Sequence, residues 1–149
     1  MRINSPVFGE IEIDQEKIVQ FEKGIPGFPD EESFILLELP DTPFFVMQSI
    51  KDELFFYLIN PFEFFSDYEI QLPESVVARL GAIKAEDIAV YCIVTIYEDF
   101  QKSTVNLKAP IVIHSLVRKG KQVILNESNY NIRQALFMPE KNSTPVEQK

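Results

Sequence analysis

Short apolar runs separated by turn-forming residues dominate the first half of the chain. VFGEIEI (7–13) alternates between two faces with the period of a half-buried strand. FILLEL (34–39), FFVMQSI (44–50) and LFFYLI (54–59) are rich in the aromatic and branched residues that favour strands. Because KDE (51–53) alone separates the last two runs, they predict a β-hairpin with that tripeptide at its tip.

The second half of the chain contains one predicted helix and one long apolar strand. In PESVVARLG (73–81), Pro73 suits a first helical turn and Gly81 suits a C-terminal cap. DIAVYCIVTIY (87–97) is apolar on both faces and rich in β-branched residues. Such a run is typical of a central strand that is covered on both sides.

The last apolar region, NLKAPIVIHSLVRKGKQVIL (106–125), predicts two strands joined at Lys119–Gly120. The tail MPEKNSTPVEQK (138–149) has no apolar periodicity, so we expect it to be disordered. Many short strands, one short helix and frequent turns together predict an all-β fold. We therefore expect a compact, β-barrel-like single domain over residues 1–137 with one short helix.

The stretch FEKGIPGFPDEESF (21–34) combines two glycines and two prolines with three phenylalanines and an acidic run. Gly24 and Gly27 can adopt positive φ angles, and the prolines stiffen the bend. We expect this segment to turn the chain between strands while Phe28 plugs the barrel. It therefore predicts a structural corner of the fold.

The charge of the chain is negative and uneven. Its 149 residues carry a net charge of −9. Residues 1–74 hold 16 acidic and 4 basic side chains, and residues 75–149 hold 7 acidic and 10 basic ones. An acidic surface repels a phosphate backbone, so we expect no direct binding of nucleic acid. Such a surface steers a basic protein partner towards it, although acidity that serves solubility alone is the alternative.

No targeting signal is visible in the chain. The N-terminus lacks the uninterrupted apolar stretch of a secretory signal, and no run approaches the ~18 apolar residues of a membrane span. We therefore expect a cytoplasmic protein. Because molecules of net charge −9 repel one another, we also expect a monomer when the protein is free.

Candidate chemistry is sparse. Cys92, the single cysteine, lies in an apolar run and is expected to be a buried hydrophobe, and His114 is the single histidine. Four Cys or His ligands for structural zinc are not available, and no phosphate-binding loop occurs, so we expect no metal and no cofactor. Two alternatives stay open: a hydrolase that uses paired carboxylates, and a barrel that holds a small ligand in an interior cavity.

Aromatic residues offer a different kind of candidate. Ten of the 13 phenylalanines fall between Phe21 and Phe65, and most of them are expected in the core. In NPFEFFSDY (60–68), three phenylalanines on a short segment cannot all face inward. Phe65 is the predicted exposed anchor, and Asp67 and Glu69 would supply an acidic rim.

The order of several segments resembles the FliW family of bacterial flagellar assembly factors. Together these segments cover nearly the whole chain apart from its tail. The family often has Asp at the position of Asn60 and Asn at that of His114. The segments that carry the resemblance are FEKGIPGF (21–28), FFVMQSI (44–50), NPFEFFSDYEIQLP (60–73), VTIYED (94–99), NLKAPIVIH (106–114) and KQVILNESNYNIRQAL (121–136).

The resemblance implies a β-barrel-like protein without enzymatic activity that acts through two protein partners. Members of the family bind flagellin, and they also bind CsrA, a small RNA-binding dimer that represses flagellin translation. When secretion depletes flagellin, the freed family member captures CsrA and translation resumes. The implied function is a partner switch that relieves this repression.

The resemblance assigns no individual contact residues, so the candidates come from charge and position. Loops at strand ends are the usual binding rim of a barrel. We predict a partner-binding site that contains Glu98 and Asp99, after the central strand, and Phe65, Asp67 and Glu69.

Overall fold

The computed structural model describes residues 1–81 and 85–137, so the predicted disordered tail lies outside the described residues. Within these ranges two α-helices, α1 (Pro61–Phe64) and α2 (Glu74–Leu80), accompany 3-10 helices at Gln15–Lys17, Ala85–Asp87 and Phe100–Lys102. The strands are β1 (Arg2–Ser5), β2 (Gly9–Glu12), β3 (Val19–Phe21), β4 (Ser33–Glu38), β5 (Phe45–Ser49), β6 (Phe55–Ile59), β7 (Ile88–Thr95), β8 (Thr104–Val105), β9 (Ile111–His114), β10 (Lys119–Gln122) and β11 (Gln134–Ala135).

Seven of these strands close into a barrel. The order is β3-β4-β5-β6-β7-β9-β10, and β10 returns to pair with β3. This last pairing is parallel, whereas all the other pairings are antiparallel. β8 and β11 extend from the far end of β7, and β1 and β2 form a separate hairpin. The predicted all-β, barrel-like domain is confirmed.

Large apolar side chains fill the barrel interior. Phe21, Phe34, Met47, Leu58 and Ile111 are each at most 1% exposed. The rings of Phe21 and Phe34 meet edge to face with centroids 5.5 Å apart, a favourable aromatic geometry. A barrel that stores a small ligand needs a cavity at this place. The packed interior therefore argues against the small-ligand alternative.

A second apolar cluster, here named the outer cluster, lies on the opposite face of β6, β7 and β9. It anchors α2 and the chain that follows β10 to the barrel wall. Cys92 is fully buried in it, as predicted, and its Sγ lies 3.8 Å from the Tyr68 hydroxyl. The buried members are Phe44, Ile59, Tyr68, Val76, Leu80, Cys92, Val94, Val105, Leu107, Val112, Val123, Leu125 and Leu136.

The local predictions for the sheet and the longer helix hold well. The runs at 34–39, 44–50 and 54–59 form β4, β5 and β6, and the long apolar run forms the central β7. Gly81 caps α2 with a left-handed φ of 70°, as the sequence predicts. β1 was not predicted, although its pairing with β2 explains the alternation seen at 7–13.

The predicted strand junction at Lys119–Gly120 is wrong. The chain turns earlier, between β9 and β10, where the His114 Nδ1 accepts the Leu116 amide at 3.2 Å. Gly120 lies within β10, and this position requires glycine because a Cβ there would come within 2.6 Å of the Phe21 ring. This glycine marks a close approach between a strand and a core ring, and not a turn.

Phe28 does not plug the barrel. It is 41% exposed and packs edge to face on Phe56 with ring centroids 5.8 Å apart, while Phe21 fills the interior. The prediction of positive φ holds, since Gly24 has φ 72° and Gly27 has φ 91°. These two residues fold the segment back on itself so tightly that its aromatic side chain stays on the surface.

Candidate functional site

The first pair of predicted site residues lies on the loop between β7 and β8. Glu98 and Asp99 are both exposed. The Asp99 carboxylate accepts the Gln101 amide at 3.2 Å and so caps the 3-10 helix of this loop. Asp99 therefore has a local structural role, whereas the Glu98 side chain is on the surface.

Exposed apolar side chains surround these two acids, and the sequence reasoning missed them. Ile96 is 38% exposed, Tyr97 44% and Phe100 42%. The Phe100 ring also packs on Phe44 and Phe137, with centroid separations of 6.1 and 5.0 Å. The loop is thus anchored on the outer cluster while it presents aromatic surface beside two carboxylates. The sequence signal that could have identified this surface is the run VTIYEDF, in which large apolar residues adjoin acidic ones.

The second group of predicted residues lies between α1 and α2. Asp67 and Glu69 are exposed, and Phe65 is half-buried against the outer cluster. The most exposed ring of this segment belongs to Phe62, which is 45% exposed. A contact role for Phe65 stays a prediction, and Phe62 joins it as the more accessible ring.

The α1 turn explains why these rings diverge. The Asn60 Oδ1 accepts the Phe62 amide at 3.0 Å, and Pro61 occupies the first helical position. One helical turn then sends successive side chains in different directions, about 100° apart. An Asp at position 60 would cap the turn in the same way, so the departure from the family pattern is conservative.

Glu69 also lines a surface groove of about 640 Å³ between residues 69–74 and 124–128. We name it the acidic groove because its eleven lining residues, all within the described chain, include three Glu and no Lys or Arg. The acidic residues are Glu69, Glu74 and Glu127, and all three are exposed. Ile124, which is 53% exposed, adds apolar surface to the groove. Sequence reasoning found Glu69 but neither Ile124 nor Glu127.

A second groove, of about 580 Å³, has the opposite charge balance. We name it the basic groove: its lining includes the GIPG turn, four basic residues and two acidic ones. The Arg79 guanidinium lies 3.7 Å from the Glu22 carboxylate, both in exposed positions. The basic residues are Lys23, Arg79, Lys119 and Lys121.

Catalytic chemistry finds little support in these sites. The three carboxylates of the acidic groove are exposed, whereas the general acid of a carboxylate pair needs a desolvated pocket. Burial raises the pKa of the Cys92 thiol to about 12, which keeps it protonated and unreactive. Among residues 1–81 and 85–137, no group of three or more His, Cys, Asp or Glu could hold a metal ion.

Those same ranges contain no helix long and apolar enough to cross a membrane.

Comparison with known proteins agrees with the fold and with the segment order. The family model described as FliW protein matches residues 2–136. The flagellar assembly factor FliW of Geobacillus sp. (strain WCH70) is 47% identical over 142 residues, which cover 95% of this chain and 98% of that protein. The flagellar assembly factor FliW of Caldicellulosiruptor saccharolyticus is 44% identical over 136 residues, covering 91% and 90%.

A solved structure gives the same result in three dimensions. A crystal structure of the flagellar assembly factor FliW superimposes with a TM-score of 0.90 at 45% sequence identity. The match covers 95% of this chain and 100% of that one. Sequence and architecture thus agree over nearly the whole chain, and this protein belongs to the FliW family of flagellar assembly factors.

Proposed function

We propose that this protein is a cytoplasmic regulator of flagellar assembly that binds other proteins and catalyses no reaction. Its two partners are flagellin and the translational regulator CsrA. By capturing CsrA when flagellin is scarce, it relieves the repression of flagellin translation. It works as a monomer when free, and it does not bind nucleic acid directly.

The observation that carries this proposal is the composition of the β7–β8 loop. Exposed Tyr97 and Phe100 stand beside Glu98 and Asp99, which gives an apolar centre with an acidic rim. Protein interfaces are enriched in aromatic anchors that a polar rim surrounds. An RNA-binding partner carries positive charge, so an acidic rim complements it.

Electrostatics also supports the antagonism. The first 74 residues carry 16 acidic side chains against 4 basic ones, and the resulting field attracts a basic protein. Two routes to antagonism then follow. The bound protein either covers the RNA site of CsrA, or it docks beside that site, where its negative field disfavours phosphate.

Calorimetric titration with purified CsrA at two salt concentrations, with flagellin as competitor, tests the proposal. We expect binding that weakens as salt rises and that flagellin blocks, because exposed charges are screened. Absence of binding to both proteins would contradict the proposed function.

A matched pair of variants then tests the loop. The double variant Glu98→Lys/Asp99→Lys should bind CsrA at least ~tenfold more weakly, since it removes an acidic rim. Glu16→Lys/Asp14→Lys makes the same charge change on the exposed 3-10 helix at Gln15–Lys17 and serves as the control. Equal affinity of the two double variants would remove the β7–β8 loop from the interface.

A further inference from the structure

One wall of the acidic groove is a strand-like segment that pairs on one side alone. The amides of Val123 and Leu125 donate to the carbonyls of Pro110 and Lys108, at 2.9 and 2.8 Å. Because successive peptide groups of an extended chain alternate in direction, the amide of Ile124 faces away from that pairing. Within the described chain this amide has no hydrogen-bond acceptor.

The opposite wall is also unpaired. Ile70 and Leu72 pack against the outer cluster, while Glu69 and Gln71 are exposed, which is the alternation of a strand. Among residues 1–81 and 85–137, no backbone group accepts from or donates to the backbone of Ile70, Gln71 or Leu72. Two strand-like segments therefore face one groove within the described chain: the Ile124 amide is a free donor, its carbonyl accepts the Asn126 amide at 3.1 Å, and the backbone of Ile70, Gln71 and Leu72 offers both donors and acceptors.

Contacts at one end of the groove hold the two walls in place. The Tyr130 hydroxyl accepts the Glu69 amide at 2.9 Å, and its ring packs on Tyr68 with centroids 4.7 Å apart. The Lys108 Nζ donates to the Ser128 carbonyl at 3.2 Å. A preformed groove lowers the entropic cost of binding, because its walls need not be ordered by the partner.

The charge and the apolar surface of the acidic groove indicate which kind of partner segment would bind there. Three glutamates line the groove without a basic residue among its lining, and Ile124 exposes half of its apolar side chain there. We propose that the acidic groove binds an extended segment of a protein partner by strand addition, with Lys or Arg side chains towards the glutamates and an apolar side chain on Ile124. Hydrogen bonds from the Ile124 amide and with the backbone of Gln71 complete the added strand. The proposal deepens the proposed function and rests on it for the choice of CsrA as probe.

Titration of CsrA into Ile124→Lys and Ile132→Lys tests the groove. Ile132 is 61% exposed and outside the groove lining, so it provides the same substitution at an equally accessible position. We expect at least a tenfold loss of affinity for Ile124→Lys and less than a twofold change for Ile132→Lys, with unchanged thermal unfolding of both. If the wild-type protein binds CsrA and the two variants bind it with equal affinity, the groove is not the binding site, and the proposed function still stands.

A second measurement needs no natural partner. A synthetic peptide of alternating lysine and valine is titrated into the protein and followed by NMR of the backbone amides. The proposal predicts shifts centred on Gln71 and Ile124, and their loss in Glu69→Lys/Glu127→Lys. If the peptide shifts only other residues, or shifts none, the groove does not bind an extended basic segment. This result would hold whether or not CsrA binds the protein.

Discussion

The acidic and basic grooves are similar in size, yet they differ in what lies beneath and beside them. At the basic groove, Gly120 presses on the Phe21 ring of the barrel interior, and the GIPG turn forms one side. At the acidic groove, the Ile124 amide and the Gln71 backbone lie over the outer cluster without a backbone partner among the described residues. We therefore assign the first region to the scaffold and propose the second as the binding region.

The net charge of each half of the chain does not distinguish the two grooves, because both halves contribute residues to both. The acidic first half of the chain contributes Glu22, Lys23 and Glu32 to the basic groove, and it contributes Glu69 and Glu74 to the acidic one. The weakly basic second half supplies Glu127 to the acidic groove. The local charge of each groove is therefore set by which residues the fold gathers, because surface charges act over about one Debye length, ~10 Å.

The largest difference between the regions should be in stability. Phe21→Ala removes a fully buried ring under the basic groove, so it should lower the free energy of unfolding by about 3–5 kcal/mol. Ile124→Ala removes an exposed side chain of the acidic groove and should change it by less than ~0.5 kcal/mol. Urea denaturation measures both. Equal effects would mean that Ile124 is part of the folded core.

Charge reversal should separate the regions in binding. Glu127→Lys in the acidic groove should weaken CsrA binding by about tenfold, because it places a cation beside the partner's cations. Lys119→Glu in the basic groove should change the affinity by less than ~twofold, since that surface lies outside the proposed contact. Calorimetry at fixed salt measures both dissociation constants. A larger loss for Lys119→Glu would move the interface to the basic groove.

A smaller effect concerns the support of the acidic groove. The Tyr68 hydroxyl donates to the Leu107 carbonyl at 2.8 Å in a buried position. Tyr68→Phe should lower the free energy of unfolding by about 1–1.5 kcal/mol, because it leaves that carbonyl without this partner. Tyr57→Phe, at a half-buried ring on β6, is the control in the same denaturation series. Two indistinguishable unfolding curves would contradict a structural role for the hydroxyl.

A further effect is a dependence of stability on alkaline pH. Burial raises the pKa of the Cys92 thiol to about 12, and it also raises the pKa of the Tyr68 hydroxyl. The unfolded thiol ionises near its ordinary pKa of about 8.5, so between about 8.5 and 12 the folded state binds more protons. The contribution of the thiol to stability should therefore be constant below about pH 8 and fall above pH 9. In Cys92→Ala the fall should be shallower, and an unchanged slope would contradict the assignment to the thiol.

Much of the barrel could be predicted because its signals are local. Strand alternation, the long apolar run of β7 and the Gly81 cap each depend on a few neighbouring residues. The errors arose where a long-range contact gives a residue its role. Gly120 resembled a turn glycine, but it lies in β10, where the Phe21 ring against it leaves no room for a side chain.

The candidate site was less accessible to prediction for the same reason. Exposed acids such as Glu69 and Glu98 follow from turn-like sequence, and both are indeed on the surface. The acidic groove, by contrast, joins segments at least fifty residues apart in the chain, 69–74 and 124–128. Ile124 belongs to a strand-like run, QVIL, that has no local signal for which side chain is exposed. The exposure of Ile124 depends on the side of the barrel to which this run attaches.

Translation of a flagellin messenger in a purified system tests the partner switch most directly. CsrA is added to repress synthesis, this protein is added to relieve it, and flagellin is then added in excess. We expect the protein to restore synthesis in proportion to the CsrA present, and we expect excess flagellin to restore repression. Synthesis that stays repressed when the protein is added, or that flagellin leaves unchanged, would rule out the partner switch.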